Sequence, residues 1–381
     1  MRIHLIVVIG SLALAGYAGA QTLAAELHRE IDSPSAGIRA GHPAVVRVTI
    51  WRPAAAGSRV EALVIGPPSN PVFQAGDAAG PDSAWPDRAR HPVVLMSHGF
   101  GGTARQLAWL GTALARSGYV VVAVDHPGNN GMDSMTVEGA TLIAERADDL
   151  RLALDAALAD PEIGIHMDAS RIGVAGFSLG GWTSAVIVGA RPDLHRWIDF
   201  CTEHPQDGVC KPQKELDLSG VDRKAVLARP DLAQYSAHEG DSRRDPRVRA
   251  AFLIAPALGY GVDANSLETI RVPFYVVVGD ADSIATPSTN AELFAKGVRG
   301  AKLEILPRVT HYDFLSPCTD FGRQVAGDYC LSAVDRVAMH DQVARKALAF
   351  FRDALNVRDA PNVRDAPNVR DAPNVRGGAS Q

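Results

Sequence analysis

Short runs of β-branched residues alternate along the middle of the chain with longer amphipathic stretches. This alternation is typical of a parallel sheet covered by helices. The apolar runs predict about eight strands, at residues 45–51, 60–65, 93–97, 119–124, 172–175, 250–254, 274–278 and 302–306. The amphipathic stretches predict helices at residues 106–117, 138–159, 182–190, 288–297 and 332–355. We therefore expect one α/β domain over residues 21–355.

Two segments interrupt this alternation. Residues 67–91 are rich in Pro, Gly, Ala and Asp, and this composition predicts a surface loop. Residues 191–247 are long, charged and rich in turn residues, and they lie between a predicted core helix and a predicted core strand. Because long insertions in compact domains are usually functional, we expect residues 191–247 to form a lid over the site that the sheet carries.

The N-terminus has the features of a secretory signal. A basic residue precedes an apolar run over residues 5–15, and Ala18-Gly19-Ala20 supplies a small-x-small cleavage motif. The run is shorter than the ~20 residues of a membrane span, which favours a cleaved signal at residues 1–20 over a permanent anchor. We therefore expect an exported protein, periplasmic or extracellular, with no integral span in the mature chain.

Export would place the four cysteines in an oxidising compartment, where an even number at close spacing predicts disulfides. Of the three pairings that four cysteines allow, we favour Cys201 with Cys210 and Cys318 with Cys330. Each of these bonds closes a short loop rich in Pro, Gly and Asp. The spacings lack the close pairs of a structural zinc site, and we expect no metal.

The C-terminus repeats a hexapeptide. The unit Asn356–Pro361 recurs from Asn362 and from Asn368, and the last copy breaks off after Arg376. Proline in each unit prevents a continuous helix, and one valine per unit buries too little apolar surface to offset chain ordering. We expect residues 356–381 to form a disordered tail without a catalytic role, with a partner-binding repeat as the alternative.

Composition and charge exclude one class of partner. The chain has 38 Lys+Arg against 43 Asp+Glu, a net charge of −5 and 46% hydrophobic residues. It therefore has enough apolar residues for a large core but no basic footprint for nucleic acid or an anionic membrane surface.

The motif with the clearest chemistry is Gly176-Phe177-Ser178-Leu179-Gly180, which matches Gly-x-Ser-x-Gly. It follows a predicted strand and precedes an apolar helix, the context of a nucleophile elbow. Glycines at both ends let neighbouring backbone approach closely, so that the serine projects above the sheet. We predict that Ser178 is a nucleophile; an ordinary glycine-rich turn is the alternative.

A serine hydroxyl needs a histidine base and an orienting carboxylate, in the chain order Ser, Asp, His. His311 lies just after the last predicted strand and is the predicted base. Asp280 and Asp282 both follow the preceding strand. We favour Asp282, because Asp280 lies closer to the strand end and is better placed to cap the turn. Asp313 is a third candidate for the acid.

Acyl transfer also needs backbone N–H donors for the developing oxyanion. Leu179, directly after the nucleophile, supplies the first donor. Phe100, in the glycine-rich turn at residues 98–102, is predicted to supply the second. We expect His98, at the start of this turn, to be a structural residue rather than a catalytic one.

A second turn, Asp125–Gly131, follows another predicted core strand at the same edge of the sheet. It lacks the late Glu of a Ca²⁺ loop, and we expect it to line the site wall. The predicted substrate-binding residues are His126, Asn129, Phe177 and Trp182.

Together these motifs resemble the α/β-hydrolase superfamily, and within it exported bacterial proteins of the dienelactone hydrolase-like or platelet-activating-factor acetylhydrolase-like type. The resemblance covers about residues 38–354 and is carried by residues 48–53, 97–102, 124–129, 176–181 and 310–311. The turn Asp282–Ala285 is also similar to the acid turn of secreted bacterial cutinase-like polyesterases. The resemblance implies an ester hydrolase with an acyl-serine intermediate and no cofactor.

Dienelactone hydrolases use a cysteine nucleophile where this chain has Ser178, so the acetylhydrolase analogy is the nearer one. We therefore hypothesise a secreted serine carboxylic-ester hydrolase that acts on short-acyl, small-molecule or lipid-like esters. A cutinase-like polyesterase, a lipase and a peptidase are alternatives within the enzyme class. The alternative from another class is a non-catalytic secreted binding protein on a hydrolase scaffold.

Overall fold

The computed structural model describes residues 22–41 and 43–356. The predicted signal at residues 1–20 and the repeats beyond residue 356 lie outside the described residues. Within the described residues, no helix is long and apolar enough to cross a membrane.

A mostly parallel sheet flanked by helices forms the domain, as predicted. Its strands in the described residues are β1 (Leu23–Asp32), β2 (Val45–Ala54), β3 (Val60–Ile65), β4 (Phe73–Ala79), β5 (His91–Ser97), β6 (Val120–Asp125), β7 (Met167–Phe177), β8 (Val248–Ile254), β9 (Phe274–Gly279) and β10 (Lys302–Leu306). They lie in the order β10-β9-β8-β7-β5-β6-β2-β1-β4-β3. Strands β5 to β10 pair in parallel. Strand β2 pairs antiparallel with both β1 and β6, and β3 pairs antiparallel with β4.

The prediction of about eight strands missed β1 and β4. Strand β1 reads LAAELHREID, in which charged residues interrupt the apolar positions. Strand β4 reads FQAGDAA and lies inside residues 67–91, so the prediction of a surface loop there is wrong for this part. Alanine, glycine and aspartate have low strand propensity. The strand forms because its backbone pairs with β3 along its length and with β1 at one position.

The helices in the described residues are α1 (Pro34–Ala40), α2 (Ala108–Arg116), α3 (Val137–Thr141), α4 (Glu145–Ala159), α5 (Leu179–Ile187), α6 (Leu194–Glu203), α7 (Arg223–Leu227), α8 (Ala233–Ser236), α9 (Ala264–Leu267), α10 (Ala291–Gly297), α11 (Asp320–Val325) and α12 (Arg336–Ala354). The single helix predicted at residues 138–159 is divided into α3 and α4. Helix α5 begins three residues before its predicted start, directly after Ser178. Helix α2 packs against α12, and α4 packs against α5.

The core is centred on β5 and β6, in which every residue is buried. Their sequences, HPVVLMS and VVVAVD, are nearly continuous apolar runs, as expected for parallel strands covered on both faces. The carboxyl ends of parallel strands share one edge of a sheet, where α/β proteins usually bind ligands. The turns predicted to carry the site all follow such strand ends.

Both predicted disulfides are present. Cys201 is bonded to Cys210 and Cys318 to Cys330. The first bond joins the last turn of α6 to the chain that follows it within the insertion at residues 191–247, and the second closes the segment that contains α11.

Helix α2 contains a glycine that packing requires. A Cβ atom at Gly111 would lie 2.3 Å from Cε3 of Trp51 on β2. The indole cannot move away freely, because its Nε1 donates to Glu26 on β1 at 2.8 Å.

We therefore expect Gly111→Ala to lower the free energy of unfolding by about 1–3 kcal/mol through overpacking, although alanine favours a helix by ~1 kcal/mol over glycine. Urea unfolding followed by circular dichroism measures the change. Ala113→Gly, at a half-buried position of the same helix, is the control and should show only the ordinary propensity loss. A stabilising effect of Gly111→Ala would contradict the packing described here.

Candidate active site

Ser178 stands at a strained turn between β7 and α5. Its backbone has φ 56° and ψ −120°, a conformation that non-glycine residues rarely adopt. A Cβ atom at Gly176 would lie 2.1 Å from the carbonyl oxygen of Gly180, and one at Gly180 would lie 1.9 Å from that of Ser97. Both glycines are therefore required by contact between backbone segments, in the arrangement of a nucleophile elbow.

The structure brings Ser178, His311 and Asp282 together in one hydrogen-bonded chain. Nε2 of His311 lies 2.9 Å from Oγ of Ser178, and Nδ1 lies 2.7 Å from Oδ2 of Asp282. The other oxygen of Asp282 accepts the N–H groups of Ile284 at 3.0 Å and Ala285 at 2.7 Å. The carboxylate is therefore fixed on both sides. It can hold the imidazole with Nε2 free to accept the serine proton.

The other two candidate acids have different partners. Oδ1 of Asp280 accepts the N–H of Arg308 at 2.6 Å and so joins the turn after β9 to the turn after β10. Asp313 accepts both the N–H and the hydroxyl of Thr310 at 2.8 Å. Of these three carboxylates, only Asp282 bonds to the histidine.

The two predicted oxyanion donors flank Ser178. Leu179 is the first residue of α5, where a backbone N–H has no acceptor within the helix. Phe100 lies in the turn after β5, which is pressed against the serine: a Cβ atom at Gly99 would lie 3.2 Å from that of Ser178. Within residues 22–41 and 43–356, neither the Phe100 nor the Leu179 N–H bonds to a protein acceptor. Both donors are thus unpaired beside the hydroxyl.

A cavity of about 310 Å³ opens above Ser178 and His311. Its walls are mainly apolar and aromatic, and include Phe73, Leu107, Phe177, Ile284, Tyr312 and Leu315. Two polar side chains, Gln213 and Glu215, come from the insertion at residues 191–247, and Tyr329 comes from the segment closed by the second disulfide. Among the residues that the structure describes, no group of three or more His, Cys, Asp or Glu side chains could hold a metal ion.

Comparison with known families identifies the chain. Residues 88–315 match the family model Hydrolase_4, described as serine aminopeptidase, S33. The chain belongs to this S33 family. The family is part of the α/β-hydrolase superfamily, so the predicted superfamily and fold are confirmed.

Curated relatives of this S33 protein include bacterial cutinases. Cutinase est1 of Thermobifida alba is 34% identical over 114 residues, which are 29% of this chain and 35% of the cutinase. Cutinase cut1 of Thermobifida fusca is 33% identical over 114 residues, covering 29% of this chain and 33% of the cutinase. The match thus spans about a third of the length of each of these relatives.

A solved structure shares the fold over almost the whole chain. The ferulic acid esterase from Streptomyces cinnamoneus has a TM-score of 0.58 and 21% sequence identity, and the match covers 94% of this chain and 96% of that one. At this identity the likeness concerns the fold alone.

Three of the four predicted substrate-binding residues lie behind the cavity wall of the S33 site instead of in it. His126, Asn129 and Trp182 are all buried, and the indole of Trp182 donates to the Gly261 carbonyl at 3.0 Å. Of the four, only Phe177 lines the cavity. The sequence placed these residues at the correct edge of the sheet, but it gave no information on the direction of their side chains.

His126 belongs to a buried polar network that the sequence analysis missed. Its Nδ1 lies 2.8 Å from Asp149, whose carboxylate also accepts two bonds from Arg39, at 2.9 and 2.6 Å. Burial lowers the pKa of His126 to about 3, so its imidazole is neutral near pH 7. Burial alone would raise the pKa of Asp149, but the positive charge of Arg39 outweighs burial and holds this pKa well below its ordinary value. Arg39 and Asp149 are 110 positions apart, and each reads as a surface charge in the sequence.

The same network holds the oxyanion turn through Arg146 on α4. Its buried guanidinium donates to Asn129 Oδ1 at 3.0 Å, Thr183 Oγ1 at 3.1 Å, Ser97 Oγ at 3.2 Å and the His98 carbonyl. Oδ1 of Asn129 also accepts the N–H of Gly101 at 3.4 Å. Arg146 therefore fixes the residues on either side of Phe100, directly at His98 and through Asn129 at Gly101. As expected, His98 is itself buried and structural, with Nδ1 2.6 Å from the Gly99 carbonyl.

We expect Arg146→Lys to lower kcat about 10- to 100-fold with a much smaller change in KM. A lysine keeps the charge but cannot reproduce the planar fork of donors, so the Phe100 N–H loses its support. Turnover of a soluble ester, together with thermal unfolding, separates a loss of positioning from a loss of folding. Arg151→Lys, at a half-buried position of the same helix, is the matched control. Equal losses in both variants would contradict the positioning role.

Proposed function

We propose that this protein is a serine carboxylic-ester hydrolase that acts through an acyl-serine intermediate. The observation that carries the proposal is the Ser178–His311–Asp282 chain of hydrogen bonds, with the unpaired N–H groups of Phe100 and Leu179 beside it. A non-catalytic binding protein would not need this arrangement, which therefore supports an enzyme over a binding protein.

In the proposed reaction, Oγ of Ser178 attacks the ester carbonyl while Nε2 of His311 takes its proton. The oxyanion of the tetrahedral intermediate accepts hydrogen bonds from the Phe100 and Leu179 N–H groups. Collapse breaks the C–O bond, and His311 returns the proton to the leaving alcohol. Water then attacks the acyl-serine while His311 takes its proton. The bond between the acyl carbon and Oγ breaks, His311 returns the proton to Oγ of Ser178, and the carboxylic acid is released. Asp282 orients His311 and stabilises its cation throughout.

The size of the cavity favours short-acyl esters of the acetylhydrolase type. Its volume of about 310 Å³ is at the low end of the usual range for small-molecule sites, ~300–1,000 Å³. The similarity to cutinases favours a cutinase-like polyesterase as the second candidate. Export is part of the proposal, because disulfides such as the two found here persist in oxidising compartments.

The triad proposal predicts graded losses of kcat. Ser178→Ala and His311→Ala should each lower kcat by several orders of magnitude, and Asp282→Asn by about 10³- to 10⁴-fold, because the wrong tautomer of histidine is then held. Hydrolysis of p-nitrophenyl butyrate and labelling by a fluorophosphonate measure the effect. Asp280→Asn, which retains an acceptor for the turn, is the control. Full labelling of Ser178→Ala would contradict the assignment of the nucleophile.

Substrate preference is tested with p-nitrophenyl esters from acetyl to palmitoyl, a suspended polyester film and an aminoacyl p-nitroanilide. We expect kcat/KM to peak at short chains, because the cavity is small. Ser178-dependent release of acid from the film would establish the polyesterase candidate. A peak at palmitoyl would indicate a lipase, and turnover of the anilide alone would indicate a peptidase.

A further inference from the structure

A carboxylate outside the triad lines the same cavity as Ser178 and His311. Glu215 is half-buried and shares the cavity wall with Ser178 and His311. Its aliphatic part packs on the oxyanion turn: a Cβ atom at Gly101 would lie 2.6 Å from Cβ of Glu215. The side chain therefore borders the cavity next to the oxyanion turn. The catalytic steps do not use it.

Further contacts restrain the segment that carries Glu215. Tyr329 lines the same cavity as Glu215. The neighbouring Lys214 pairs with Asp328, and its Nζ lies 5.8 Å from the centre of the Tyr329 ring. The Cys201–Cys210 bond lies just before Glu215 in the chain, and the Cys318–Cys330 bond closes the segment that contains Asp328 and Tyr329. The segment that carries Glu215 is thus tied to this second segment at the cavity wall.

The chemistry of an ionised carboxylate decides which substrates it favours. Its oxygens only accept hydrogen bonds, so a substrate hydroxyl can donate to them. A second carboxylate in the same water-poor cavity is repelled, because Coulomb interactions are stronger there than in water. Burial raises the pKa of Glu215, which agrees with its removal from water.

On the basis of the proposed function, we infer that Glu215 is a specificity-determining residue of this cavity. It selects uncharged esters that carry a hydroxyl donor and discriminates against esters that carry a carboxylate. The inference assigns the insertion at residues 191–247 a direct part in substrate choice.

Three methyl esters of matched shape test the inference: methyl 3-phenylpropionate and its para-hydroxy and para-carboxy derivatives. Their rings suit the aromatic walls at Phe73, Phe177 and Tyr312. In the wild-type protein we expect kcat/KM to fall in the order hydroxy, unsubstituted, carboxy. In Glu215→Gln, the ratio of kcat/KM for the carboxy ester to that for the unsubstituted ester should rise about tenfold, because the repulsion is removed.

Two further variants separate selection from structure. Asp217→Asn removes an exposed carboxylate two residues away on the same segment, and we expect it to leave the ratio within about twofold of wild type. Tyr329→Phe removes a hydroxyl from the same cavity wall but keeps the negative charge of Glu215, so discrimination against the carboxy ester should persist. If Glu215 only ties the two segments together, Glu215→Gln and Tyr329→Phe will change all three esters equally, which would overturn the inference.

A binding measurement keeps this result independent of turnover. Calorimetry gives the affinities of the same three esters for Ser178→Ala and for the double variant Ser178→Ala with Glu215→Gln. A rise of about tenfold in the relative affinity for the carboxy ester on Glu215→Gln would support the inference. If the wild type hydrolysed none of the esters, that result would reject the proposed function, but the affinity result would still support the inference. An unchanged affinity ratio would reject the inference while leaving ester hydrolysis in place.

Discussion

Direct contact between two backbone segments is the constraint on which the site depends. The end of β5 and the start of α5 approach so closely that no side chain fits at Gly180, against the Ser97 carbonyl. The chain can make this turn only if Ser178 adopts φ 56°, a conformation that costs ~1–3 kcal/mol. The fully buried strands β5 and β6 hold the turn in place. The turn thereby holds the Ser178 hydroxyl above the sheet, within reach of His311.

This constraint explains why the centre of the site could be predicted from sequence. The elbow requires particular residues at adjacent positions, and the order Ser, Asp, His follows from the strand ends that the three residues occupy. The strands β5 to β9 could also be predicted from the sequence, because strands buried on both faces have continuous apolar runs. Strands β1 and β4 lack such runs: pairing with neighbouring strands defines them, and this information is not local.

Side-chain direction and distant charge pairing were the other limits of prediction. His126 and Asn129 follow a strand end as expected, yet they point into the protein, where Arg146 and Asp149 meet them. Nothing near Arg39 in the sequence indicates that its partner is 110 residues away. Buried ion pairs often add little net stability, since desolvation offsets their attraction. Arg146 bonds directly to the His98 carbonyl and reaches Gly101 through Asn129, which gives this network a positional role behind the oxyanion turn.

The cavity is thus built from two parts with different physical origins. Its floor, with Ser178 and His311, is fixed by the sheet and by the buried network beneath it. Its wall also includes Glu215, which lies beyond the Cys201–Cys210 bond, and Tyr329, which lies in the segment closed by Cys318–Cys330. Within the described residues neither side chain is hydrogen-bonded to Ser178, His311 or Asp282. A substitution at Glu215 or Tyr329 can therefore change which ester fits while the chain of hydrogen bonds from Asp282 to Ser178 stays intact. In this architecture selectivity can vary independently of the catalytic chemistry.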